Sequence, residues 1–222
     1  MSLRADHLNF AYSADLPILN DLCFELLASE LHFIVGANGS GKSTLLRCLS
    51  QDERCAYLPQ TISSSLPFSV SETIELGARL SKTCNVEQLA AKLDVNHLLK
   101  RRLSQLSGGE RQRVLVAAVL AEQSEYLLLD EPSCSLDVHH QVQLFRYLKT
   151  VCLSGVGIAV VCHDINIASC FADKISLLHH GKIIECGTPS KVINQQNMRL
   201  VFSDDVKVIN VNNQAMVVPV ND

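Results

Sequence analysis

Three short stretches of the chain combine residue types that could do chemistry. The first is Gly36-Ala-Asn38-Gly39-Ser40-Gly41-Lys42-Ser43-Thr44, which follows the apolar run Leu-His-Phe-Ile-Val. Glycines at this spacing let the backbone curl until successive N–H groups and the N-terminus of a following helix converge on one phosphate. Lys42 then supplies a point charge to the outer phosphates of a nucleotide, and the Ser43 hydroxyl can ligate Mg²⁺. The second stretch, Tyr126-Leu-Leu-Leu-Asp130-Glu131-Pro132, is an apolar strand ending in two carboxylates. Parallel strands carry ligand chemistry at their carboxyl ends, so Asp130 is expected to meet the metal held by Ser43. Glu131, one residue further on, is placed to hold a water in line with a γ-phosphate and accept its proton. The third stretch is Leu106-Ser107-Gly108-Gly109-Glu110-Arg111-Gln112-Arg113, a small-residue loop that leads into a helical pattern.

Such groups need a rigid frame, and the rest of the sequence supplies one. Short β-branched apolar runs alternate with longer helical patterns, the signature of a mostly parallel sheet covered by helices. The clearest strands are 31–35, 126–129, 157–162 and 174–178, with rough alternation at 3–10 and 22–27 suited to antiparallel pairing. Over 138–153, Val142, Phe145, Leu148, Val151 and Cys152 recur at three and four residues, which predicts one amphipathic helix. From Thr61 to Gln105 no strand-like run occurs. Ser69 and Glu72 form a capping box that opens a helix, and helical spacing continues over 86–99. The expected organisation is one α/β domain, 1–222, whose core comprises 1–60 and 114–222 and whose residues 61–113 form an inserted helical subdomain. After Gly181 short β-like pieces return at 182–186, 206–211 and 215–220.

Composition narrows the function classes. The chain has 222 residues, 47% of them apolar, with 19 basic against 23 acidic side chains and a net charge of −4. Disorder is excluded by that hydrophobicity at low net charge, and an electrostatic nucleic-acid binder by the absence of a basic excess. The longest uncharged apolar run, 114–121, falls far short of the roughly 20 residues a membrane helix needs. The N-terminus turns charged and polar where a signal peptide would need its apolar centre, which points to the cytosol. Nine cysteines, odd in number and without a C-x-x-C pair, read as small reduced core residues. The pairs His139-His140 and His179-His180 lack a partner at ligand spacing and read as surface or helix-face histidines.

With the three motifs in this order, the chain resembles the ATP-binding cassette (ABC) ATPases along essentially its whole length. The resemblance implies a P-loop core with an N-terminal antiparallel β-subdomain and the inserted helical subdomain. It implies ATP and Mg²⁺ as ligands and ATP hydrolysis as the activity, with Glu131 as general base. It also implies that the signature loop, Ser107, Gly108, Gly109 and Glu110, closes over the γ-phosphate held by the P-loop of a second copy; the loop and its helix N-terminus make a second anion nest. Tyr12 matches the aromatic that stacks on adenine. Gln60 matches the glutamine that touches Mg²⁺ and the attacking water, so the metal set becomes Ser43, Gln60 and Asp130. Ser135-Leu136-Asp137 matches the loop that crosses the dimer interface, and His163 the switch histidine at the γ-phosphate. Two features depart from the pattern: Glu110 stands where many relatives have glutamine, and the segment between Lys42 and Gln60 is short, trimming the β-subdomain.

Within the family, residues 66–77, 163–169, 181–193 and 206–220 look like segments of importer ATPases for iron-siderophores, haem and cobalamin. The resemblance therefore implies a homodimer at the cytoplasmic face of a membrane, peripheral, working with separate permease subunits and indirectly with a substrate-binding protein, without nucleic acid. ATPases of zinc, manganese or molybdate importers share several of these segments, and a soluble cluster-assembly ATPase is a further alternative.

Overall fold

The computed structural model describes residues 2–13, 16–61, 67–79 and 84–220; the expected insert 61–113 thus includes two stretches, 62–66 and 80–83, outside the described residues. Two long strands, β1 (Ser2–Ser13) and β2 (Leu16–Leu27), pair antiparallel, with register shifts from Ala5 onward that twist the ribbon over the domain. The chain then enters β3 (Leu31–Val35), α1 (Lys42–Leu49) and β4 (Cys55–Leu58). Three helices follow, α2 (Val70–Ala78), α3 (Val86–Lys92) and α4 (Gly108–Ala121), before the α/β alternation resumes with β5 (Tyr126–Asp130), α5 (Val138–Leu153) and β6 (Gly157–Val161). The chain closes with α6 (Ile165–Phe171), β7 (Lys174–His179), β8 (Lys182–Gly187), α7 (Pro189–Val192), α8 (Gln195–Phe202), β9 (Val206–Val211) and β10 (Gln214–Pro219).

Six strands form the central sheet in the order β4-β5-β6-β3-β7-β8, parallel except for β8 at one edge. The buried strands are apolar on both sides because each face meets a different layer. Phe33, Leu127, Leu129 and Val160 enter one core with α4 and α5, while Ile34, Tyr126, Leu128 and Val161 enter a second with α1 and the β1–β2 ribbon. Clamped this way, β3, β5 and β6 present their carboxyl ends at fixed positions on one edge of the sheet.

The helical stretch is built on α4. Ser69 caps α2: its hydroxyl accepts the Glu72 N–H, and the Glu72 carboxylate accepts the Ser69 N–H at 2.7 Å. Gly77 lets α2 approach α4 backbone to backbone, since a Cβ there would lie 1.9 Å from the Ala118 carbonyl oxygen. The helical run expected over 86–99 is broken. Helix α3 stops at Lys92, Asp94 turns left-handed at φ 54°, and a 3-10 turn covers Asn96–Leu98. Asparagine and aspartate are the non-glycine residues that best tolerate this conformation, so the stop carries no glycine to announce it.

All nine cysteines are free thiols, but only Cys152 and Cys162 are buried, and Cys23 and Cys170 are exposed. The core reading therefore holds for a minority of them. No helix among the described residues is long and apolar enough to cross a membrane.

Candidate functional site

The cradle forms where β3 runs out. Gly36 passes so close to β7 that a Cβ would lie 2.1 Å from the Leu178 carbonyl oxygen. Gly41 caps α1 with φ 106°, a left-handed conformation that glycine adopts without strain, and a Cβ there would press on Leu19 at 2.8 Å. Between them the loop folds on itself through Ser40 N–H to the Ala37 carbonyl, and the Gly181 N–H ties the Ser40 carbonyl to the β7–β8 turn. Lys42 is buried, and its Nζ donates to the carbonyls of Gly36 at 2.9 Å and Ala37 at 2.8 Å, leaving one N–H for a ligand. Burial lowers its pKa, opposed by Glu131 and Asp130.

The carboxylates arrive on β5, as the sequence predicts. Asp130 is 1% exposed, and its Oδ1 has no hydrogen-bond partner. Burial raises its pKa, while a hydrogen bond from Ser43 pulls the other way. Glu131 leaves the sheet in a left-handed turn at φ 53°, strained for a residue with a side chain. Two bonds fix that turn: the Glu131 N–H to the Val161 carbonyl at 3.0 Å, and Gln112 Nε2 to the Glu131 carbonyl at 3.3 Å. Its side chain is thereby aimed across the cradle, where Gln60 Nε2 donates to Oε1 at 2.8 Å and His163 Nε2 lies 2.6 Å from the same oxygen. Gln60, Glu131 and His163 thus meet on one atom, although they lie far apart in the chain.

These side chains, with Asn38, Gly39, Gly41, Lys42, Ser43 and Thr44, line a cleft of about 440 Å³. Ile18 lines it too, a residue the sequence does not single out because nothing distinguishes it from any other strand residue. Tyr12 is 63% exposed on β1, edge-on to Phe10 with ring centroids 5.0 Å apart, and is not among the lining residues.

A second cleft of similar size lies elsewhere on the chain, formed by Ser107, Gly108, Gly109, Glu110 and Arg113 with Ser135, Leu136, Asp137 and His140. Ser107 caps α4, and Glu110 Oε2 accepts both the Ser107 N–H at 2.8 Å and its hydroxyl at 2.9 Å. Those bonds hold the Glu110 carboxyl below the usual range. Gly109 admits the neighbouring loop, since a Cβ would lie 2.9 Å from the Ser135 carbonyl oxygen. Asp137 caps α5 by accepting the His140 N–H at 2.9 Å, which lowers its pKa, and it also pairs with the His140 ring. The two clefts share no lining residue.

An orphaned carboxylate oxygen, buried beside a serine hydroxyl at the foot of a phosphate cradle, is a hard-oxygen donor set, and it suits Mg²⁺. Asp130 and Ser43 therefore fit that ion, and Gln60 lines the same cleft.

The chain matches the ABC transporter family over residues 19–56 and 51–134. It belongs to that family. Among its relatives are proteins named hemin import ATP-binding protein HmuV. The one from Hahella chejuensis is 32% identical, covering 86% of this chain and 89% of the relative. The one from Bordetella pertussis is 34% identical, covering 94% and 95%. In structure, a metal-chelate type ABC transporter in an inward-facing conformation superposes with a TM-score of 0.83, covering 98% of this chain and 97% of its own at 24% identity. An Atm1-family ABC exporter with ATP bound gives 0.76 over 88% of this chain and 40% of its own, also at 24% identity. At that identity both likenesses speak for the fold alone.

One further residue near the site is not singled out by the spacing of the motifs. Gln112 follows the signature loop by two positions, and its amide ties the signature helix to the turn that carries Glu131. The motif was visible, but its contact crosses from one helix to another loop, which spacing does not encode.

Proposed function

We propose that this chain is the ATP-binding and ATP-hydrolysing subunit of an ABC importer that powers uptake of a metal chelate of the haem, iron-siderophore or cobalamin class. The hydrolytic part of the reading rests above all on the convergence of Gln60 and His163 on the carboxylate of Glu131, facing the phosphate cradle. The cargo class rests on relatives named for hemin import that align over most of this chain.

The chain's own residues divide the work. The N–H groups of 36–43 and the α1 N-terminus bind the β-phosphate, and the free Lys42 donor reaches the outer phosphates. Mg²⁺, held by Ser43, Asp130 and Gln60, would neutralise charge on the phosphates. Glu131 orients the attacking water and takes its proton. His163 and Gln60 hold that carboxylate at its position and contact the γ-phosphate side of the cleft. Tyr12 offers its exposed ring to the adenine.

In this reading each ATP is sandwiched between the cradle of one copy and the loop 107–110 of another, with Asp137 at the seam, and the separation of the two clefts on one chain supports it. The insert 61–113 transmits closure and release of that sandwich to separate permease subunits at the cytoplasmic membrane face, and a substrate-binding protein delivers the cargo from the other side. Purification from detergent-solubilised membranes followed by mass spectrometry tests the assignment. Recovery of a multi-span permease is the expected result, and soluble partners alone would overturn the importer reading while leaving the ATPase chemistry standing.

A further inference from the structure

Four polar side chains that the ATPase chemistry does not use form a continuous chain through the sheet. His32, on β3, is fully buried, with the Phe24 ring tilted against it at 4.9 Å between centroids. Its Nδ1 lies 2.8 Å from Glu30 Oε1, an ion-pair contact rather than a well-angled hydrogen bond. Its Nε2 lies 2.9 Å from the hydroxyl of Ser176 on β7, which is also fully buried. That hydroxyl donates to the Cys186 sulfur at 3.3 Å, because the antiparallel register of β7 and β8 places Ser176 opposite Cys186. Cys186 itself is half-buried on the edge strand.

Apolar residues would fill these positions at no polar cost, whereas buried polar groups must each find a partner. Here each partner is also a proton carrier. In one arrangement the thiol donates to Ser176, whose hydroxyl donates to neutral His32. In the other the imidazolium donates to Ser176, whose hydroxyl donates to the thiolate, and Glu30 balances the cation. Around the sulfur stand Lys174 and Lys191, the latter donating to the Cys186 carbonyl at 3.1 Å. Glu185 accepts the Cys186 N–H at 3.0 Å and pairs with Lys191 at 2.8 Å. Burial alone would push the thiol up, but the hydrogen bonds from His32 and Ser176 outweigh it and leave Cys186 below an ordinary thiol. Burial likewise opposes a charged His32, and Cys186 and Glu30 overcome it.

We propose that Cys186 is a nucleophilic thiol, activated through Ser176 by the His32–Glu30 pair, and a modification site for soft electrophiles such as hydroperoxides. In that step the thiolate sulfur attacks one peroxide oxygen. The S–O bond forms as the O–O bond breaks, and the leaving hydroxide (or alkoxide) takes the proton stored on His32. The products are a sulfenic acid and water or an alcohol, with sulfur oxidised and peroxide reduced.

Nothing in this inference depends on the importer reading, and its test reads the sulfur directly. The reduced full-length chain is treated with limiting iodoacetamide between about pH 5.5 and 9, and labelling of each cysteine is followed by peptide mass spectrometry. Cys186 is expected to reach half-maximal labelling rate at a lower pH than exposed Cys23 in the same tube. In Ser176→Ala and His32→Gln its profile should move up to that of Cys23, and peroxide-dependent trapping by dimedone at Cys186 should fall about tenfold. Labelling of buried Cys152 and Cys162 reports unfolding. If His32→Gln exposes them, Ser176→Ala, which removes one oxygen, carries the test. A Cys186 that stays unlabelled where Cys23 reacts, or whose profile is the same in wild type and the folded variant, overturns the proposal.

Discussion

Glu131 is the residue on which most of the site's geometry converges. A carboxylate held by Gln60 and His163 can take a proton from water only while it is ionised and aimed at the cleft. Glu131→Gln keeps the shape and loses the base, so ATP turnover should fall by about two to four orders of magnitude while nucleotide binding persists. Steady-state phosphate release and equilibrium binding of labelled ATP check the two halves, and turnover near the wild-type rate would defeat the general-base role. Lys42→Ala should instead weaken binding itself, because it removes the cradle's only lysine donor. A second residue-scale prediction concerns acid stability. Arg54, which also lies 5.3 Å over the Tyr126 ring, holds Asp52 at about 2, against 3.8 for an unpaired aspartate. A depressed folded-state pKa adds stability that is fully present above the unfolded value and lost as pH falls through the folded one. The thermal midpoint of wild type should therefore exceed that of Asp52→Asn by a constant margin above pH 4, and the margin should shrink as pH falls from 3.8 towards 2. The pair is only partly buried, so the margin is small and salt-sensitive. A margin independent of pH would show that the pair contributes nothing.

Among the elements, α2 and α4 depend on one missing methyl group. Alanine in place of glycine at an exposed helix position stabilises by about 0.5–1 kcal/mol. At Gly77 the added Cβ would meet the Ala118 carbonyl at 1.9 Å, backbone against helix, so the two helices must part. Gly77→Ala is expected to destabilise by about 1–3 kcal/mol, read as a lower denaturant midpoint at unchanged slope. Stabilisation in that assay would show that α2 is free to shift. Elements were legible in the sequence to the extent that their signals are local. The capping box at Ser69, the amphipathic period of α5 and the apolar runs of β3, β5, β6 and β7 all lie where the pattern puts them, because propensity and burial agree there. The end of α3 was not legible, since Asp94 supplies the left-handed stop that a glycine usually marks. The cradle and the carboxylates could be read from spacing because a strand and its loop are contiguous. Ile18 and Gln112, which reach the site from other elements, could not. Nor could the clamp on the C-terminal hairpin, where the Asn166 side chain bonds both the N–H and the carbonyl of Val217, at 2.8 and 3.1 Å, and so ties β10 to the helix that follows His163.

At the scale of the whole molecule, the decisive feature is that one chain carries two clefts, the glycine cradle and the signature loop, with no lining residue in common. A chain acting alone would have a cradle without a lid and a signature loop without a phosphate. If two copies complete each other, a defect in the cradle and a defect in the signature loop should complement in trans. Lys42→Ala abolishes the cradle of its own copy. Gly109→Val leaves the cradle intact but drives a branched side chain into the Ser135 backbone, which already lies within 2.9 Å of a single added carbon. Each variant alone should hydrolyse ATP at background rate. Mixed in equal amounts, they form mixed dimers about half the time, and each mixed dimer pairs one sound cradle with one sound loop. The mixture should therefore recover up to about a quarter of wild-type turnover at saturating ATP, since half of the dimers carry one of two working sites. Recovery should vanish on dilution below the dimer dissociation constant, a dependence that a monomeric enzyme would not show. Activity in either variant alone, at a level that mixing does not raise, would mean that the two clefts serve separate purposes within one chain.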